Sequence, residues 1–355
     1  MKSRIIRLGQ RIRWVLIGDR DSLRVGWRLA LGIAAYAAAF SAAFGGLSAI
    51  FGALFDAWGL TNANLAYAPG WAQWVVAWHA DIVYFIAYGA SAAVGAMLAR
   101  RWTTPVRENA RIAILAAICG LMMGAVLTLL ALGLDSMRLE RPLGEPRFSA
   151  MLIPAAVLLI VGRLSGEILS KRILFDPVKM RFGRVAGYLA ACIASVLLSG
   201  MWTSPMGLIC ALLMGIAGSA VYERGGIRAS VALMAAWTAW TTVVFAWPNV
   251  SGASVYQMYA VSDSWLTGGN GGAMCGFAGV LAWGIFAAVL LRNELRRGLI
   301  WIMKGRKRNG KDSNCNRGTG LPRRELLRSG TAGDEGSRGS GRAGRAQSRS
   351  PQGRR

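Results

Sequence analysis

The sequence predicts an all-α integral membrane protein with eight transmembrane helices and both termini in the cytoplasm. Three observations lead to this prediction: a composition too poor in charge to cover a soluble surface, eight apolar runs of helix length, and basic residues concentrated in alternate connecting segments. Of the 355 residues, 54% are hydrophobic and only 16% are charged. Soluble domains carry roughly 25% charged residues, because their surface faces water.

The apolar runs set the number of predicted spans, because a hydrocarbon core about 30 Å thick is crossed by roughly 20 apolar residues of helix. Such runs lie at 29–55, 71–99, 112–134, 150–170, 185–203, 206–221, 230–247 and 271–291. The first is long enough to be tilted or broken at Gly45-Gly46. We therefore expect three parts: a basic N-terminal segment (1–28), an eight-helix membrane domain (29–292) and a C-terminal tail (293–355).

The distribution of basic residues predicts the orientation of these spans. Of the 41 Lys and Arg residues, 37 lie before the first run, after the last run, or in the segments 100–111, 171–184 and 222–229. Only 3 lie in the other connecting segments. Because cytoplasmic segments carry the excess of Lys and Arg, both termini are predicted to be cytoplasmic and the protein to lie in the cell (inner) membrane.

The end of the chain differs in composition from the rest. Residues 304–355 are rich in Gly, Ser and Arg and show no apolar period, which predicts a disordered cytoplasmic tail attracted to anionic lipid. Arg-Gly-Ser repeats also occur in RNA-binding segments, but this tail lacks the aromatic residues that stack on bases. No nucleic-acid partner is expected, and a tail without a selected role fits the sequence as well.

Residues suited to metal or redox chemistry are few. The 5 cysteines show no CxxC and no regular spacing, so they indicate neither a disulfide framework nor a zinc site. The chain has 1 histidine, His79, which excludes any chemistry that needs two imidazoles. We therefore expect no cofactor and no metal.

Ionisable residues inside a span are costly, and each is therefore a functional candidate. Arg163, Glu167 and Lys171 follow one another at intervals of four and share one stripe of the fourth predicted helix. The stripe indicates an ion-pair ladder, with a catalytic or substrate-contacting role for Glu167 as the alternative. His79 and Asp81 are two residues apart, about 200° around a helix, and do not converge on one ion.

Three stretches then resemble a known family. Residues 23–29 (Leu-Arg-Val-Gly-Trp-Arg-Leu), 226–252 and 263–272 are similar to the start of the first helix, the seventh helix and the turn before the last helix of the CAAX prenyl protease and bacteriocin-processing (CPBP) family. These proteins, also called type II CAAX endopeptidases, are intramembrane proteases. The resemblance covers 22–292 and implies an eight-helix fold and a membrane-anchored peptide or protein as partner, beside the lipid bilayer.

The resemblance also implies where a catalytic site would lie. The Glu-Glu-x-x-x-Arg motif of the family's fourth helix corresponds here to Gly166, Glu167 and Lys171, so that one carboxylate survives and Lys replaces Arg. The His-x-x-x-Asn motif of the seventh helix corresponds to Met234 and Thr238. The histidine of the fifth helix would fall near Trp202 or Thr203. Glu167 is thus the one catalytic candidate, and Gly166, Lys171, Trp202, Met234 and Thr238 are motif-equivalent cavity positions.

These replacements predict a family scaffold with impaired catalysis that binds a membrane partner or substrate. Hydrolysis by a general base needs a free carboxylate together with donors that hold water and stabilise an oxyanion. The alternatives are an active endopeptidase that uses Glu167 and a small-solute transporter, although the sequence shows no internal repeat of the kind common in transporters. A site joining Glu167 to Trp202 also requires either that the fourth helix continues past Lys171 or that the membrane boundary differs from the predicted one.

Overall fold

The computed structural model describes the central part of the chain, which belongs to the unit Met1–Gly298. The described residues are 24–60, 68–103, 106–144, 146, 148–149, 151–199, 204–248, 253–261, 265–268 and 271–292. The predicted tail, most of the basic N-terminal segment, and Trp202 with Thr203 lie outside them.

Helices make up most of the described residues, which confirms the predicted helical class in its coarse form. They are α1 Val25–Ala57, α2 Gly70–Trp102, α3 Ala110–Gly133, α4 Leu152–Glu167, α5 Asp176–Phe182, α6 Arg184–Ser199, α7 Pro205–Thr238 and α8 Phe277–Arg292. Among the described residues, five helical stretches are long and apolar enough to cross a membrane: α1, α2, α3, Leu152–Phe182 and Pro205–Val244. The apolar helices α6 and α8 are shorter.

The fourth predicted span continues well beyond its predicted end. A π-helical segment, Ile168–Phe175, follows α4 directly and leads into α5, and Gly183 at φ +90° then ends the helical stretch. The prediction of a loop over 171–184 is therefore wrong. The charged residues of this segment predict a solvated loop. They are compatible with a helix because they form ion pairs within the protein, Lys171 with Glu167 and Arg172 with Asp176.

The sixth and seventh predicted spans are the two arms of α7. Gly226 interrupts this helix with φ +78° and ψ −169°. The Ser230 hydroxyl lies 3.2 Å from the carbonyl oxygen of Gly218, 12 residues earlier. A continuous helix would separate residues at that spacing by roughly 18 Å. The chain therefore reverses at Gly226, and the first arm (205–225) packs against the second arm (227–238).

A small sheet, which the sequence analysis did not predict, joins two connecting segments. Its strands are β1 Met137–Leu139, β2 Phe245–Ala246 and β3 Tyr256–Ala260, in the order β1-β3-β2. β1 pairs with β3 in antiparallel fashion, with Met137 opposite Ala260, and β2 pairs with β3 in parallel fashion. The sheet ties the segment after α3 to the segment after α7.

Large apolar side chains are both buried and exposed. The main buried cluster joins α3, both arms of α7 and α8, with Trp237 and Trp283 in edge-to-face contact at 5.3 Å between ring centroids. Elsewhere Leu129, Ile153 and Val289 are 65–73% exposed. Extended apolar exposure of this kind marks an interaction or membrane surface, and it is compatible with a membrane protein.

Candidate functional site

A cavity of about 520 Å³ lies between α1, α2, α4, α6 and α7. Its charged lining residues, Arg163, Glu167 and Lys171, come from α4 and the π-helical segment. Hydroxyl groups line it as well, from Tyr36, Tyr84, Tyr88, Ser170, Ser195, Ser199 and Thr238. The remaining wall is made of glycine, leucine and methionine, namely Leu158, Leu159, Gly162, Gly166, Leu198, Met214, Met234 and Met274.

Glu167 and four of the five motif-equivalent positions line this cavity. Gly166, Glu167 and Lys171 approach from the fourth helical stretch, and Met234 and Thr238 from the second arm of α7. The reversal at Gly226 and the continuation of the helix past Lys171 together bring these distant segments face to face. Trp202 lies outside the described residues.

Glu167 is held by two neighbours. The Ser230 hydroxyl donates a hydrogen bond to its Oε2 atom. The Lys171 ammonium nitrogen lies 3.8 Å from the same oxygen, and the Glu167 side chain is 12% exposed. One carboxylate oxygen is thus engaged by both a hydroxyl and a cation, an arrangement that fixes the group rather than leaving it free to activate water.

Lys171 is the most deeply buried charge of the site, with a side chain only 2% exposed. Its Nζ donates to Ser219 Oγ at 3.2 Å and lies 3.5 Å from the carbonyl oxygen of Gly215, both in the first arm of α7. Buried charges persist in proteins when they are paired and hydrogen-bonded. Lys171 therefore connects the fourth helical stretch to the α7 hairpin.

The lining offers few groups for hydrolysis. Among the residues that the structure describes, Glu167 is the one carboxylate that lines the cavity, and none of them contributes an imidazole or carboxamide to the lining. The Thr238 hydroxyl is buried without a hydrogen-bond partner among the described residues. No group of three His, Cys, Asp or Glu side chains placed to hold a metal ion occurs in the described part of the chain.

The other ionisable pair considered from the sequence lies away from this cavity. His79 packs against Phe55 with ring centroids 5.1 Å apart, and its Nδ1 is 2.5 Å from the carbonyl oxygen of Val76. Neither His79 nor Asp81 is among the residues that line the cavity.

Several residues that shape the site were missed from the sequence. Tyr36 and Ser165 share a hydrogen bond of 2.7 Å, and Ser165 and Ser91 share one of 2.8 Å, which joins α1, α4 and α2. Tyr84 and Tyr88 are four residues apart, a spacing that puts both rings on one helix face. The spacing of the two tyrosines was the one feature of the sequence that could have pointed to these residues. Ser91 and Ser165 follow no sequence pattern that would predict their contacts.

Comparisons with protein-family models, with curated proteins and with solved structures gave no match to this chain.

Proposed function

We propose that this protein is a catalytically silent member of the CAAX prenyl protease-like family that binds a membrane-anchored peptide or protein without cleaving it. The observation that carries the proposal is the cavity itself. The motif positions that the structure describes line one cavity, and the described side chains found there lack the imidazole and carboxamide groups that hydrolysis needs.

The contacts of Glu167 support the silent form of this function. A general base must reach the proton it abstracts, directly or through one water. Here Oε2 of Glu167 already accepts a hydrogen bond from Ser230 and faces Lys171. A methionine and a threonine, Met234 and Thr238, stand where the resemblance implies imidazole and amide donors, and neither replaces their chemistry.

We also propose eight membrane crossings with both termini in the cytoplasm. The contacts between connecting segments support this arrangement, because they form two separate groups. Glu108, which precedes α3, lies 3.7 Å from Arg172 and caps the second arm of α7. The strands β1 and β3 join the segments after α3 and after α7. Segments predicted on the same side of the membrane therefore contact one another.

A cleavage assay tests the catalytic part of this proposal. The purified full-length protein would be offered membrane-anchored and prenylated peptides beside the Glu167→Ala variant, with thermal unfolding to verify that both are folded. We expect no cleavage by either protein. Cleavage by the wild type that disappears in Glu167→Ala would instead establish an active endopeptidase, the alternative favoured by the exposure of Glu167 to the cavity.

A binding assay tests the remaining part. Peptides carrying a photoreactive group in the membrane anchor should cross-link to the wild-type protein. Met234→Trp fills the cavity and should reduce cross-linking several-fold. Met97→Trp is the matched control, because Met97 is 60% exposed on α2 and does not line the cavity. Equal cross-linking to both variants would place peptide binding elsewhere.

A further inference from the structure

Arg163 is the third charged residue that lines the cavity. Its side chain lines the cavity from α4. No described residue forms a hydrogen bond or an ion pair with its guanidinium, and the groups that act on it electrostatically are Glu167 and Tyr88. An isolated charge in a membrane-spanning helix is costly and usually marks a functional site.

The charges of the cavity do not balance. Glu167 and Lys171 form an ion pair of 3.8 Å, and hydroxyl groups of α7 hydrogen-bond to both partners. The negative charge of Glu167 is thus shared with Lys171, and the three charged lining residues sum to one positive charge. A ligand that brings one negative charge to Arg163 would complete the balance.

The surroundings of Arg163 fit an anion with two or more oxygens. A guanidinium presents a planar fork of N–H donors that binds carboxylate or phosphate in a bidentate manner. Tyr84 and Tyr88 line the same cavity, and neither hydroxyl hydrogen-bonds to any described residue. A Cβ at Gly162 would lie 3.6 Å from the Tyr88 ring, an ordinary contact distance, so this ring packs against α4 next to Arg163. The Tyr88 side chain also acts on Arg163 electrostatically, and it therefore offers one hydroxyl donor near the guanidinium.

The rest of the lining fits an apolar chain. Leucine and methionine side chains form this part of the wall: Leu158, Leu159, Leu198, Met214, Met234 and Met274. Methionine is flexible and polarizable, and it adapts to ligands of irregular shape. The volume of about 520 Å³ falls within the range of roughly 300–1,000 Å³ that is typical of small-molecule sites.

We infer that the cavity binds a single-chain anionic amphiphile, with its carboxylate or phosphate head on Arg163 and its apolar chain against the leucines and methionines. The inference goes beyond the proposed function, because it takes the same cavity as the binding site but names a lipid rather than a peptide as its ligand. Arg163 lies outside the motif-equivalent positions, and its role follows from the charge balance alone.

The test is displacement of a fluorescent fatty acid, pyrene-labelled hexadecanoic acid, from the full-length protein in phosphatidylcholine nanodiscs. Oleate or oleoyl lysophosphatidic acid should displace the probe, and a preference between them identifies the head group. Oleyl alcohol has the chain without the charge and should compete at least tenfold more weakly than the better of these two. Acetate and inorganic phosphate have the charge without the chain and should not displace the probe.

Variants assign the anion to Arg163. Arg163→Gln should weaken probe binding at least tenfold, and Arg163→Lys should restore part of it. Arg100→Gln removes the same charge from an exposed residue of the last turn of α2 and should bind like the wild type. Binding of oleyl alcohol by Arg163→Gln at the wild-type level would show that the variant keeps its cavity.

Three results would overturn the inference: equal probe binding by Arg163→Gln and the wild type, equal competition by oleyl alcohol and the anionic lipids, or displacement by inorganic phosphate alone. These results leave the proposed lack of hydrolysis untouched. Conversely, peptide cleavage that depends on Glu167 would contradict the silent function without bearing on the anion at Arg163. The two proposals therefore fail independently.

Discussion

The carboxylate of Glu108 lies directly against Gly226, at the point where α7 reverses. Its two oxygens accept hydrogen bonds of 3.2 Å from the backbone N–H groups of Ile227 and Arg228. A Cβ on Gly226 would lie 2.5 Å from Glu108 Oε2. The glycine thus allows both the backbone reversal and the close approach of the group that caps the second arm.

Replacing Gly226 by alanine should destabilise the protein by about 1–3 kcal/mol, because the backbone there adopts a conformation that side chains rarely allow. The clash with Glu108 should add to this effect. Thermal unfolding in detergent measures the change. Gly89→Ala serves as control, since a Cβ at Gly89 meets nothing within 4 Å. Equal unfolding temperatures for the two variants would contradict the reversal at Gly226.

Loss of the Glu108 carboxylate should also destabilise the hairpin, because two N–H groups lose their cap. Glu108→Ala should cost about 0.5–2 kcal/mol, as helix-capping substitutions do. Glu108→Gln keeps an oxygen acceptor but loses the charge that faces Arg172 at 3.7 Å, so its cost should be smaller. Chemical unfolding of the three proteins measures the order, and a glutamine variant less stable than the alanine variant would argue against capping.

The Glu167–Lys171 pair should behave as a coupled unit. Lys171→Met leaves Glu167 without its cation and should cost about 3–5 kcal/mol, as the loss of one partner from a buried pair does. Adding Glu167→Gln should recover a large part of that stability, because the double variant carries neither charge. A double-mutant cycle by thermal unfolding gives the coupling energy. Additive effects would show that the two side chains do not interact.

Close packing between α3 and the second arm of α7 should depend on Gly120. A Cβ there would lie 2.5 Å from the carbonyl oxygen of Leu233 and 3.0 Å from the backbone nitrogen of Trp237. Small residues let membrane helices approach in this way. Gly120→Ala should lower the unfolding temperature, whereas Gly133→Ala, where a Cβ meets nothing within 4 Å, should leave it nearly unchanged. Similar losses in both would argue against the contact.

The sequence was sufficient to predict the helical class, but not to predict where each helix ends. Long apolar runs predict helices because a helix that is surrounded by lipid or protein along its length needs apolar side chains along its whole length. The charges after Lys171 predict a loop, because a single sequence does not show that Arg172 contacts Asp176 and Glu108 inside the protein. The strands were missed because two to five residues are too few to show an alternating pattern.

Part of the candidate site could be predicted from the sequence. Its motif positions came from the family resemblance, and its stripe of charges from the interval of four between Arg163, Glu167 and Lys171. Ser230 and Ser219 could not be predicted, because their contacts depend on how the arms of α7 pack against the fourth helical stretch. Hydroxyl groups that bind a charge across a helix interface leave no periodic signal along one chain.

Because of the π-helical segment Ile168–Phe175, the number of residues in the fourth helical stretch is constrained as well as their identity. A π-helix is wider than an α-helix because its backbone hydrogen bonds join residues five apart rather than four apart. Deleting one residue from a helix that keeps its winding turns everything after it, by about 100° in an α-helix. Asp176 would then move away from Tyr222, whose hydroxyl donates a hydrogen bond of 2.6 Å to Asp176 Oδ2. Natural variants and engineered deletions should therefore spare this part of the helix and accumulate in the surface connection before α4.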